Sequence, residues 1–176
     1  MASGESAAIT LELVNGGTLA MSWDRDVLEV HLRGEPEGRR GSPWTVEGEM
    51  DWGLAEEVRL VSALFEDGRE VAIAAARPRG AAGHDQDAVA ARLVSGGAPV
   101  PVAEVLLSTE YDREGLARRL GVELVLDPTS PPLRIAADRE GEVEVRGEDE
   151  PRETARMTFR LEGGRGTGLY EVLRPS

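Results

Sequence analysis

The chain has 176 residues, of which 33 are acidic and 20 basic, for a net charge of -13; 40% are hydrophobic, none is cysteine, and every basic residue is arginine. Without cysteine there are no disulfides, thiol nucleophiles or thiolate metal sites, and without lysine there is no Schiff-base chemistry. The acidic balance disfavours phosphate backbones and anionic lipid surfaces, so no nucleic-acid partner is expected.

Residues 1–8 carry neither the basic nor the apolar segment of a secretory signal, and a cytoplasmic location is the expectation. No run approaches the roughly 20 apolar residues of a membrane span. From Ile9 the chain alternates: Ile9, Leu11 and Leu13 with Thr10 and Glu12 between them. A strand turns successive side chains to opposite faces, so this period of two predicts a strand with one buried face. Leu19, Met21 and Trp23 continue the rhythm, with Trp23 read as core. Leu28, Val30 and Leu32 alternate with Glu29, His31 and Arg33, which predicts another strand, with His31 at a polar position. A polar loop follows at 34–43, and Asp51-Trp52-Gly53-Leu54 sets a carboxylate beside an indole.

Four hairpins are expected downstream. Segments 58–65 and 70–76 flank the turn Glu66-Asp67-Gly68, and 102–111 and 117–126 flank 112–115. Segments 133–137 and 142–146 flank 138–141, and 156–162 and 168–173 flank 163–166. Between the first two hairpins lies a polar loop, 77–87, and an acidic loop occupies 147–153. Two segments, 85–94 and 112–120, fit either a strand or a short helix capped by Asp85 or Asp112; their strand neighbours favour strands. About ten strands with at most one or two short helices predict an all-β fold. An antiparallel β-barrel is the leading architecture, a β-sandwich the alternative, with residues 1–176 forming one domain.

The chemistry-bearing residues are sparse. His31 and His84 are the only histidines, 53 positions apart and without a ligand spacing, so no metal site is expected. His84 sits beside Asp85 in the loop after an apolar strand, where a carboxylate can hold the imidazole in one tautomer; a polar loop with no such role is the plainer account. Trp52 offers contact area to an apolar ligand or covers a barrel end. Ser108-Thr109-Glu110-Tyr111 gathers hydroxyls and a carboxylate at a strand end. Glu171 alternates with Leu169 and Leu173, a costly place for a carboxylate unless an arginine pairs with it or the interior is functional. No phosphate-binding loop, dinucleotide glycine pattern, nucleophile elbow or His-Glu-x-x-His is present, and no cofactor is expected.

Asp51-Trp52-Gly53-Leu54, Ala76-Arg77-Pro78-Arg79-Gly80, Gly83-His84-Asp85 and the terminal Gly166-Thr167-Gly168-Leu169-Tyr170-Glu171 occur in an order that resembles the lipocalin-like (calycin) family containing carotenoid 1,2-hydratases and tocopherol-cyclase-like proteins. The resemblance implies a single β-barrel with an apolar cavity, and a homodimer where that family carries two barrels in tandem. Asp51 stands where that family's Trp-Gly motif commonly has His, so its chemistry does not carry over.

Three functions follow as expectations. The first is binding of a small apolar molecule, with Trp52, Tyr111 and Tyr170 as contact surface and Arg77, Glu110 or Glu171 as polar anchors. The second is a cofactor-independent hydratase, cyclase or isomerase acting on an isoprenoid-like substrate, with Asp51 or Glu171 as acid and His84 as base. The third is a non-catalytic assembly domain.

Overall fold

The computed structural model describes residues 6–36, 41–147 and 151–175. Part of each of the polar loops expected at 34–43 and 147–153, and the first five residues, lie outside the described residues. The described residues form two sheets. The smaller is antiparallel and contains β1 (Ala7–Glu12), β2 (Thr18–Trp23) and β3 (Trp44–Val46), in that order.

The larger sheet begins with β4 (Ala55–Phe65), β5 (Glu70–Pro78), β6 (Ala88–Ser95) and the short β7 (Ala98–Val100). It continues with β8 (Glu104–Tyr111), β9 (Ala117–Val125), β10 (Leu133–Arg146), β11 (Arg152–Leu161) and β12 (Gly164–Leu173). Its spatial order is β7-β6-β5-β4-β12-β11-β10-β9-β8, and every pairing in it is antiparallel. Chain order is kept around the whole curl, with β12 returning to pair β4 along eight residue pairs from Gly166↔Phe65 to Leu173↔Val58. The result is a curled antiparallel half-barrel, all-β as expected.

The eight long strands would close as an antiparallel barrel if β6 met β8. These two come close, yet no ladder joins them among the described residues. The reason lies in the segment between them. After β6 the chain folds back as β7 and covers the far end of β6, pairing Ser95↔Ala98, Val94↔Pro99 and Leu93↔Val100. Pro99 and Pro101 have no N–H to offer a further strand. Residues 88–92 of β6 and the outer side of β8 therefore face each other across an unzipped seam.

Each face of the large sheet has its own core. Inside the curl, Val61, Phe65, Ile73, Leu120, Leu124, Met157, Phe159 and Tyr170 are buried together. Outside, β4, β5 and β12 are covered by the small sheet and a helix, with Val58, Leu60, Ala74, Leu169 and Leu173 meeting Leu11, Met21, Trp23, Leu28 and Trp44. This double coverage is why β4 and β5 read as nearly continuous apolar runs.

Two sequence expectations are corrected. The segment with Leu28, Val30 and Leu32 is helix α1 (Arg25–Arg33), not a strand. Leu28 and Leu32 are four apart, a spacing shared by a strand face and a helix face. Asp24 decides for the helix: its Oδ1 accepts the N–H of Asp26 at 2.9 Å and of Val27 at 3.2 Å. Gly34 ends it in the left-handed conformation. The second correction concerns 133–146, which is one strand and not a hairpin. Gly141 (φ +76°) makes a bulge between Glu140↔Arg156 and Glu144↔Thr154. The open segments resolve as strands: 85–94 becomes a one-turn 3-10 helix (His84–Gln86) followed by β6, and 112–120 becomes a turn followed by β9.

Candidate functional site

One end of the inside of the curl is polar. Arg59 stands on the inner face of β4, between Ala75 of β5 and Val172 of β12, and is only 4% exposed. Its Nη2 donates to Asp87 Oδ2 at 2.8 Å and its Nη1 to Thr109 Oγ1 at 3.2 Å. Asp87 lies immediately before β6 and Thr109 belongs to β8, so one guanidinium reaches both banks of the seam. Thr109 Oγ1 lies 3.3 Å from the Tyr170 hydroxyl. Burial pushes that phenol well above its ordinary value, the neighbouring Tyr111 adds to the effect, and the Thr109 hydrogen bond opposes it.

Asp87 is the hub. Its side chain is 2% exposed. Besides Arg59 it meets His84, whose Nδ1 is 3.1 Å from Oδ2, and Arg77, whose Nε is 3.6 Å from Oδ1. Glu57 extends the network, 3.8 Å from Arg59 Nε and accepting from Arg174 Nε at 3.0 Å; Arg174 also donates to Glu153 at 2.8 Å. Burying these charges is tolerable only because they are mutually paired.

A cleft of about 990 Å³ runs along the seam beside this network. Its lining separates by face. Val89, Val105, Leu107, Val122 and Ile135 form an apolar inner wall that ends at Arg59, His84 and Asp87. Leu106, Ser108, Glu123, Arg134 and Arg160 come from the opposite face of the sheet. The cleft therefore wraps the free edge of β8 and is not an enclosed lumen. The interior of the curl itself is filled by buried side chains, Phe65 and Phe159 meeting edge to face at 6.3 Å.

The sequence candidates fall in different places. Arg77, His84 and Tyr170 are drawn together through Asp87, Arg59 and Thr109. Tyr111 is 41% exposed near the same end. Glu110 points to the outer face of β8 and pairs with Arg119 at 3.4 Å. Asp51 is exposed and caps the Gly53 N–H at 2.9 Å, while the Trp52 carbonyl accepts from Arg79 Nε at 2.7 Å. Trp52 packs against the outer core. Glu171 is 1% exposed on the outer side of β12, accepts from Ser42 Oγ at 3.0 Å and faces Arg152 at 3.8 Å. Burial raises its carboxyl above the ordinary range, against the pull of Arg152 and Ser42. Asp51, His84, Glu110 and Glu171 thus do not meet in one cleft.

Arg59 and Asp87 are the residues that sequence reasoning missed; Thr109 belongs to the hydroxyl cluster it noted at a strand end. The available signal was Arg59 itself, a charge at an inner position within Val58-Arg59-Leu60-Val61. Its partners lie 28 and 50 positions away, with no spacing to mark them. Among the described residues no cluster of His, Asp and Glu could hold a metal ion. Among the described residues no helix is long and apolar enough to cross a membrane. The sequence matches no protein-family model and no curated protein.

Proposed function

We propose that this protein binds a small, mainly apolar molecule along the β6–β8 seam. The observation that carries this reading is the cleft of about 990 Å³ with its inner wall of Val89, Val105, Leu107, Val122 and Ile135, closed at one end by the buried Arg59–Asp87 pair. Binding sites commonly combine such an apolar wall with a few convergent polar groups. An eight-strand curl is also the size at which the interior is either filled or holds one small ligand. Here the interior is filled, so the ligand belongs at the seam. The curl supports the lipocalin-like resemblance. A cytoplasmic location fits a chain without cysteine.

Titration with the neutral dye Nile red tests the reading. Saturable fluorescence enhancement is expected, weakened by Leu107→Gln on the inner wall and unaffected by Val14→Gln, an exposed apolar residue outside the cleft. Absence of binding, or equal loss in both variants, would refute it.

A further inference from the structure

A second groove lies where β1 passes β6. It holds about 400 Å³ and shares no lining residue with the seam cleft. One bank is β1 and the other is the end of β6 with the chain that runs on through β7 to Val102. Ile9, Leu93, Pro99, Val100, Pro101 and Val102 make its lining apolar. Two lining residues have polar side chains, Thr10 and Arg92, and Arg92 alone of the lining is charged.

Arg92 differs from the other arginines. Among the described residues it is the one arginine that is partly buried while its side chain has neither a hydrogen bond nor an ion pair. Arg113, Arg118 and Arg165 also lack both, but they are exposed. Arg92 pairs with Ala72 across the β5–β6 ladder, as Ala90 does with Ala74. Cross-strand partners share a face, and these alanines belong to the outer core beneath the small sheet. The Arg92 side chain therefore leaves β6 on the side where β1 lies.

A guanidinium stays charged and presents planar donors that match a carboxylate. Partial burial takes water from those donors, and no carboxylate lines the groove to replace it. An anion from outside is the matching partner. One cation offsets one charge, whereas a phosphate monoester would bring roughly two to a protein of net charge -13. Charges elsewhere on the surface are screened beyond about 8 Å at physiological salt, so a monoanion in contact with Arg92 is governed by that contact. We propose that this groove binds an apolar monocarboxylate of the fatty-acid class. Its carboxylate pairs with Arg92 and its chain lies against Ile9, Val100 and Val102. The site does not depend on what the seam binds.

Octanoate, 1-octanol and octyl phosphate share a tail and differ in the head, and titrations of the full-length protein with each test the proposal. NMR follows the Arg92 Nε–H and the methyls of Ile9 and Val102, with the Leu107 methyls reporting on the seam. Octanoate is expected to move the Arg92, Ile9 and Val102 signals saturably, with an affinity on the order of tenfold above that of either analogue. Arg92→Gln is expected to reduce octanoate to the level of octanol while keeping the parent Tm, because no partner is lost. In the parent, added NaCl is expected to weaken octanoate and spare octanol. Equal affinities for octanoate and octanol or octyl phosphate, a preference that survives in Arg92→Gln, or the same salt response for octanoate and octanol would overturn the proposal. So would silence at Arg92 and Ile9, in which case any Leu107 response reports binding at the seam alone.

Discussion

Trp44 donates its indole N–H to the hydroxyl of Ser62 at 2.8 Å. Trp23, paired with Trp44 across the β2–β3 ladder, donates to the same oxygen at 3.1 Å. Ser62 is fully buried on the outer face of β4, so one hydroxyl satisfies two indoles and ties the small sheet to the large one. Ser62→Ala leaves two buried donors unpaired at about 1–3 kcal/mol each. We expect a loss of about 2–4 kcal/mol in urea unfolding. Ser62→Thr, which keeps the hydroxyl, is expected to lose less.

Gly168 permits the closest approach in the sheet. A Cβ built there falls 1.8 Å from the Ser62 carbonyl oxygen and 2.8 Å from Ala63 Cα, both backbone atoms that cannot step aside. Gly168→Ala is expected to cost about 3 kcal/mol or more by forcing β12 away from β4. Gly121 is the control, since its Cβ would meet only the Ser108 hydroxyl, at 2.8 Å. That side chain can rotate, and Gly121→Ala should change stability by less than about 1 kcal/mol. Similar losses in both variants would refute the distinction.

Arg59 latches the seam by holding Asp87 and Thr109 together. Arg59→Met leaves a buried carboxylate with its main partner gone, a change that typically costs about 3–5 kcal/mol. The double variant Arg59→Met/Asp87→Leu removes the stranded charge and is expected to recover part of that loss. Hydrogen exchange is expected to accelerate at 88–92 in the single variant. Unchanged exchange there would show that the seam is held by other contacts.

The resemblance of sequence to structure varies with what each residue signals. The β4–β5 hairpin was readable because Asp67-Gly68 breaks two long apolar runs. Helix α1 was misread because Leu28 and Leu32 fit both periods, and the deciding group, the Asp24 carboxylate, lies before the pattern begins. Gly141 looked like a turn because a bulge and a turn both use left-handed glycine. His84 was visible as a loop residue, but its partner is Asp87 on the next turn of chain and not the adjacent Asp85. The seam could not be read at all, since it arises from which edges the curl leaves unpaired.

Glu171 and Asp138 give stability opposite pH dependences. Burial raises the Glu171 carboxyl, so the folded state holds its proton more tightly than the unfolded chain does. Its effect is favourable at low pH and is lost as pH climbs from the unfolded carboxylate value through the raised folded one. Glu171→Gln should therefore gain in Tm over the parent as pH moves from about 5 to 7.5. The Arg119 hydrogen bond, then that of Arg160, holds Asp138 below the usual range. Its contribution is present above the unfolded value and disappears as pH falls through the lowered one. Asp138→Asn should narrow its Tm deficit below about pH 4. A constant Tm difference across pH in either variant would refute the assignment.

Neighbouring residues of β4 serve different interiors: Leu60 belongs to the outer core and Val61 to the inner one. A partition with both sides in use cannot soften on one side alone, because any shift of its backbone is felt by the packing behind it. Heat should therefore dismantle the two interiors in a single calorimetric step, with the amides of this partition the last to trade their hydrogens for solvent deuterium.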